Sequence, residues 1–135
     1  MLWVEVFVVF LICHLVGDFL LQTDWQARHK HGGLGRDPVA RRALLSHVAW
    51  YTAVFIPAIV WIVLTADLSA AMGLLLLAII FVPHLVQDDG RVVMWWMRDV
   101  KRTEPSDAPG VTVVVDQTLH IVVLFLTAVL IAVLT

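Results

Sequence analysis

The stretch His14-Leu-Val-Gly-Asp18 ends a long apolar run, and it returns with one residue changed as His84-Leu-Val-Gln-Asp88. In each copy the histidine and the aspartate are four residues apart, so in a helix they share one face, about one turn apart. Ionisable side chains inside apolar segments are costly and usually mark a functional site. The two copies therefore predict a site built from the matching ends of two helices.

The composition around these two stretches is that of a membrane protein. Of 135 residues, 61% are hydrophobic and 15% are charged, against about 45–50% and about 25% in soluble domains. Four runs approach or exceed the roughly 20 residues needed to cross a bilayer. We therefore predict an all-α membrane protein with one domain, residues 1–135, and four transmembrane helices at about residues 2–22, 39–65, 70–88 and 111–135.

Two further features refine this fold prediction. The repeated His/Asp stretch indicates two pseudo-repeated helical hairpins, in which His47 corresponds to His120. Residues 90–102 carry arginines on one helical face and apolar residues roughly on the opposite one, which is typical of a short helix in the membrane interface.

Because successive spans cross the membrane in alternating directions, the polar residues of all four spans come to one side. Spans one and three end at loops one and three, while spans two and four begin there, so polar residues at those ends lie in one leaflet. A third pair, Asp116 and His120, and the single His47 join the two repeated stretches at this level. The predicted site residues are His14, Asp18, His47, His84, Asp88, Asp116 and His120.

Basic residues predict the orientation of the protein. All nine lysines and arginines lie on the side of loops one and three, and positive residues mark the cytoplasmic side. The site is therefore expected toward the cytoplasmic face of the inner (plasma) membrane, with both termini outside. Asp89, next to Asp88, is expected to be solvated rather than a ligand.

Four histidines and three carboxylates match the ligands of a two-metal site. Imidazole suits zinc, iron, copper and nickel, and carboxylates add oxygen ligands; helical bundles build such sites from facing helices. We predict one or two divalent transition metal ions, zinc first and manganese or iron as alternatives. All seven residues are candidate ligands, and the carboxylates that can act catalytically, one of them as a general base, are Asp18, Asp88 and Asp116.

The surroundings of this cluster indicate the partners. Basic side chains at the mouth can hold an anionic, lipid-linked or phosphorylated substrate: Arg41, Arg42 and Arg91. Polar neighbours can orient the ligands: Gln22, Ser46, Tyr51, Gln87 and Gln117. Membrane lipid is the expected partner and nucleic acid is not. A homodimer is kept as an alternative, although the sequence has no GxxxG motif to support it.

These features predict a metal-dependent hydrolase of a lipid-linked or phosphorylated substrate, and three other interpretations remain beside it. The polar residues can be a network that holds the helices together. Each span has one clustered histidine, as in a haem-binding bundle, although the nearby aspartates argue against haem. A carrier of protons or metal ions is typical of His/Asp chains, but the outer halves of the spans are almost wholly apolar, so no through-path is visible.

The longer stretch His14-Leu-Val-Gly-Asp18-Phe-Leu-Leu-Gln22-Thr-Asp24-Trp25 resembles the signature of a family of small bacterial and phage membrane proteins, domain of unknown function 3307. Ser46-His47, His84-x-x-x-Asp88 and Asp116-Gln117-x-x-His120 are similar to its other recurring motifs. The resemblance implies an integral membrane protein and no established activity. The pattern is also similar in style to membrane-bound metal-dependent hydrolases, but it lacks the adjacent His-Asp of soluble HD-type phosphohydrolases, so their mechanism does not carry over.

Overall fold

Six helical segments make up the part of the chain that the computed structural model describes, residues 2–135, and these residues contain no strand. Four of the helices are long and apolar enough to cross a membrane, which confirms the predicted fold class. The segments are α1 (Trp3–Leu15, continued by a π-helix over Val16–Leu21), α2 (Asp24–His29), α3 (Pro38–Thr65), α4 (Ala70–Asp88), α5 (Arg91–Trp95, continued by a π-helix over Trp96–Val100) and α6 (Pro109–Leu134).

Side-chain caps fix where the helices after the turns begin. Thr23 accepts a hydrogen bond from the backbone N–H of Gln26, whose side chain accepts one from the Thr23 N–H, a capping box that starts α2. Asp37 caps α3 ahead of Pro38, whose missing N–H costs nothing at a first helical position. These caps fold the segment after α1 back toward the ends of the long helices.

The half of the bundle away from the basic loops is an apolar core. Phe10 of α1 and Phe55 of α3 are fully buried and meet edge to face with ring centroids 5.5 Å apart. Aliphatic side chains of α3, α4 and α6 complete this core: Ile59, Ile62, Leu76, Ile80, Leu124 and Ile131. Close packing of this kind holds membrane helices together, and it leaves the polar end of the bundle as the place for a site.

The end of α1 departs from the regular α-helix that the spacing of His14 and Asp18 predicts. Val16–Leu21 is π-helical and carries Asp18; such widened turns are frequent at functional sites. Gly17 lies against the ring of Tyr51, where an added Cβ would be 2.6 Å from Cδ2. Only a residue without a side chain allows α1 and α3 to approach this closely.

We expect Gly17→Ala to destabilise the protein by about 1–3 kcal/mol, the usual cost of overpacking a close contact. The added methyl group must displace the Tyr51 ring or separate α1 from α3. Thermal unfolding in detergent measures the effect. Gly110→Ala is the control, because a Cβ at Gly110 meets nothing within 4 Å; equal unfolding temperatures for the two variants would contradict the prediction.

Candidate metal centre

Six of the seven predicted site residues form two groups at the polar end of the bundle. One ligand atom from each of Asp18, His47, His84 and Asp88 lies within 4.8 Å of the others, and the same holds for Asp88, Asp116 and His120. Asp88 belongs to both groups. The sequence pattern brought these residues to one level, and the structure divides them into two sets of ligands.

In the first group, side chains from three long helices converge on a single point. His47 Nε2 lies 3.2 Å from Asp18 Oδ1 and 2.8 Å from Asp88 Oδ2, and 3.2 Å from His84 Nε2. His84 Nε2 is itself 3.3 Å from Asp88 Oδ2. One imidazole N–H cannot serve three partners at once, whereas a cation at the centre can bind all four groups.

The second group forms around Oδ1, the other oxygen of the shared Asp88 carboxylate. His120 Nε2 lies 3.3 Å from Asp88 Oδ1, and His120 Nδ1 lies 3.7 Å from Asp116 Oδ1. His120 Nδ1 also donates to the Asp116 backbone carbonyl at 2.8 Å, which fixes the orientation of the ring. The two oxygens of Asp88 thus face different groups.

Buried polar atoms without a hydrogen bond point toward this centre. Within residues 2–135, the buried atoms without a contact of hydrogen-bond geometry include Asp18 Oδ1, Asp88 Oδ1 and His120 Nε2, although a polar atom lies within 3.3 Å of each. Buried polar atoms in native proteins are almost always paired, and each exception needs an explanation such as an ion. Two carboxylate oxygens and an imidazole nitrogen are suitable ligands for a transition metal.

His14 lies beside the two groups rather than in them. With Nε2 donating to Gln117 Oε1 at 3.0 Å, its Nδ1 accepts from the Tyr51 hydroxyl at 3.1 Å. Within the site, Asp18 Oδ2 lies 3.5 Å from His14 Nδ1. A role for His14 as a ligand therefore stays a prediction.

Tyr51 and Gln117, two of the expected orienting residues, contact the site directly. The Tyr51 ring stacks on His84, with centroids 3.4 Å apart and planes within 7°. Gln117 Nε2 donates to Asp116 Oδ2 at 3.2 Å. Both side chains thus connect His14 to residues of the two groups and hold these residues in position.

Lys30 enters the site although sequence reasoning assigned it only to the basic loop. Lys30 is 8% exposed, and its Nζ donates to Asp88 Oδ2 at 2.9 Å. With the Gln22 amide turned so that its oxygen faces Lys30, that oxygen accepts from Nζ at 2.8 Å. No spacing rule marks this lysine, because the capped helix α2 is what turns it inward.

The expectation that Asp89 is solvated is wrong, since the residue is only 3% exposed. Asp89 Oδ1 accepts from the backbone N–H of Leu34 at 2.7 Å, and its carbonyl accepts from the N–H of Gly32 at 2.8 Å. Its Oδ2 lies 3.1 Å from Arg91 Nε. Asp89 thus fastens the segment between α2 and α3 to the end of α4.

A cavity of about 720 Å³ lies beside α5 and the start of α6, and Asp116 is among its lining residues. The Asp116 side chain is 28% exposed, against 4% for Asp18. The second group therefore borders open space while the first is enclosed. Of the arginines expected at the mouth, Arg91 lines the cavity, whereas Arg41 donates to the Gly35 carbonyl and Arg42 lies over the Trp25 ring.

Comparison with known proteins adds a family and nothing more specific. Residues 6–135 match the family described as "Protein of unknown function (DUF3307)". No curated protein and no solved structure matches the chain.

Proposed function

This chain belongs to the DUF3307 family, whose function is unknown, and we propose that it is a metal-dependent membrane hydrolase acting on a lipid-linked or phosphorylated substrate. The observation that carries the proposal is the shared carboxylate: Asp88 directs Oδ2 to His47 and His84, and Oδ1 to His120.

The two groups differ as structural and catalytic metal sites do. The first offers four protein ligands, the full number for a structural zinc site. The second offers three, Asp88, Asp116 and His120, and it borders the cavity through Asp116. Three protein ligands with an open position are typical of catalytic zinc, so we place the chemistry at the second group.

When bound, two adjacent ions can activate a water molecule and stabilise the attacking and leaving oxygens. The protein contributes position and proton transfer. Asp88 holds the two groups together, and the enclosed Asp18 belongs to the structural group. Asp116 is the carboxylate within reach of water entering from the cavity, so in this proposal it would hold the ion through one oxygen and accept the proton of that water on the other.

Zinc is the first choice of metal because imidazole nitrogens and carboxylate oxygens are both among its usual ligands. Manganese and iron are the alternatives, as carboxylate-rich sites in helical bundles hold either metal. The nine lysines and arginines, all in segments near the polar end of the bundle, support an orientation with this end in the cytoplasm and both termini outside.

The geometry disfavours haem and a carrier. The rings of His47 and His84 already touch through Nε2 at 3.2 Å, so a macrocycle would have to separate side chains that are in contact. A carrier needs polar groups along the full span, and the far half of this bundle is the apolar core around Phe10 and Phe55.

The test is elemental analysis of detergent-purified protein, together with its visible spectrum and its turnover on a panel of phosphoesters and lipids. We expect about two equivalents of a transition metal, no Soret band, and hydrolysis that stops on chelation and returns with added metal. The variant His29→Ala should give the same metal content, spectrum and turnover as the unchanged protein, because His29 lies outside both groups and contacts the Trp25 carbonyl.

Each alternative has its own result. A Soret band would replace the proposal with a haem protein. Metal without turnover, but with metal or proton uptake into proteoliposomes, would replace the hydrolase with a carrier. Absence of metal after chelator-free purification would leave a polar packing network.

A further inference from the structure

The cavity next to the second group is lined by basic, acidic and apolar side chains. Arg91 and Arg98 supply positive charge, and both side chains are more than half exposed. The rest of the lining includes apolar residues of α5 and α6: Val93, Met94, Trp95 and Val113. A ligand that contacts both the arginines and the apolar side chains would carry an anionic group and an apolar part.

The arginines retain donors for such an anion. Arg91 meets Asp89 through Nε at 3.1 Å, and Arg98 meets Glu104 through Nε at 3.0 Å. A guanidinium has five N–H donors in a fork that matches phosphate oxygens, so one contact each leaves most of them free.

The acidic residues of the lining oppose the binding of an anion, but two of the three already have partners. Asp89 is already bound by the Leu34 N–H and by Arg91. Asp116 accepts from Gln117 and belongs to the second group. Asp99 is the third acidic residue of the lining. A cation held at Asp116 would add positive charge at the inner end of the cavity.

The apolar part of the lining points to a ligand from the membrane. Trp95 is 53% exposed and Val113 is 57% exposed, although both are large hydrophobic residues. Val113 belongs to the first turns of α6, a helix that is apolar enough to cross the bilayer, and tryptophan is enriched at the level of lipid headgroups. An alkyl chain leaving the cavity along α6 would continue into the hydrocarbon.

We propose that this cavity binds the phosphate group of a membrane amphiphile and holds it beside Asp116. This names the substrate class of the proposed hydrolase and rests on that function for the reaction, while the binding itself uses residues outside the metal groups. Arg98 and Arg91 bind the phosphate, and Trp95 and Val113 contact the first carbons of the chain.

The experiment is calorimetric titration of the full chain, in a neutral maltoside detergent, with dodecyl phosphate and separately with inorganic phosphate. We expect Arg98→Gln to weaken dodecyl phosphate binding about tenfold, since it removes charge-assisted hydrogen bonds. Arg28→Gln is the matched control: Arg28 is also exposed and paired through Nε, with Asp24 at 2.9 Å, but it is outside the cavity. Val113→Asn tests the apolar contact, and unfolding temperatures verify that each variant is folded.

The outcomes separate this inference from the proposed function. Equal binding by Arg98→Gln and Arg28→Gln would overturn the phosphate site, and inorganic phosphate binding as tightly as dodecyl phosphate would overturn the amphiphile. Metal content is measured on the same samples. Protein without metal that binds dodecyl phosphate through Arg98 would keep the site and refute the metal proposal; metal-loaded protein without such binding would refute the site alone.

Discussion

The substitution Asp88→Asn is expected to remove both metal ions, the largest effect of any single change in the site. Asparagine keeps the shape of the side chain, but its neutral amide is a poor substitute for a carboxylate facing His47, His84 and His120. Changes that merely disturb the surroundings of ligands cost about 10–100-fold in metal affinity. Loss of the shared ligand should therefore lower metal affinity by more than about 100-fold at both groups. Elemental analysis and competition with a chromogenic chelator measure this loss.

Changes to the outer carboxylates provide the comparison. We expect Asp18→Asn to retain about one equivalent, held at the second group, and Asp116→Asn to retain about one equivalent at the first. Asp24→Asn is the exposed control and should keep both, because Asp24 lies outside both groups and pairs with Arg28. Retention of one full equivalent by Asp88→Asn would show that its carboxylate is not shared.

Folding must be separated from metal loss in this experiment. Asp88→Asn leaves the ammonium of Lys30, 2.9 Å from Oδ2, without a negative partner, and breaking a buried ion pair is strongly destabilising. The double variant Asp88→Asn with Lys30→Met removes both charges together. If it is folded and free of metal, the loss belongs to the ligand and not to unfolding.

The second large effect concerns Lys30. We expect Lys30→Met to raise metal affinity about tenfold or more, because the ammonium competes for Asp88 Oδ2 and repels a divalent cation. Like charges a few ångströms apart interact strongly even at an effective dielectric constant of about 20. Titration with a metal-buffered indicator measures the change.

The same substitution should have the opposite effect on the metal-free protein. Without Lys30, the buried carboxylate of Asp88 loses a charged hydrogen bond, so the unfolding temperature should fall in the presence of chelator and rise when metal is added. Lys101→Met, at an exposed position outside both groups, is the control. A lower metal affinity for Lys30→Met would mean that this lysine supports the ion instead of competing with it.

Much of the fold followed from the sequence because its signals are local. Four apolar runs predict four crossing helices whatever their packing, and the structure has them. Because the spans alternate in direction, loops one and three lie on the same side. His14, Asp18 and their counterparts each lie beside one of these loops, so they gather at one end of the bundle. The family resemblance is also carried by local motifs, and the match covers residues 6–135.

The details of the site depend on how each helix is rotated about its axis, which sequence spacing does not specify. Close packing of Gly17 against Tyr51 and the π-helical end of α1 contribute to the placement of Asp18 toward His47, while His14 contacts Tyr51 and Gln117. His14 and His84 each precede an aspartate by four residues, and only the packing of the helices shows that His84 belongs to a group and His14 does not.

By itself, the sequence determined an all-helical membrane protein with histidines and aspartates gathered at its basic end. Hydropathy identifies each span separately, and the order of the spans decides which side each span end faces. Only the tertiary structure decided that Asp88 is shared by two groups, that Asp89 is buried, and that Lys30 lies in the site. These contacts join residues far apart in the chain. Their formation depends on close packing between helices, which no local pattern encodes.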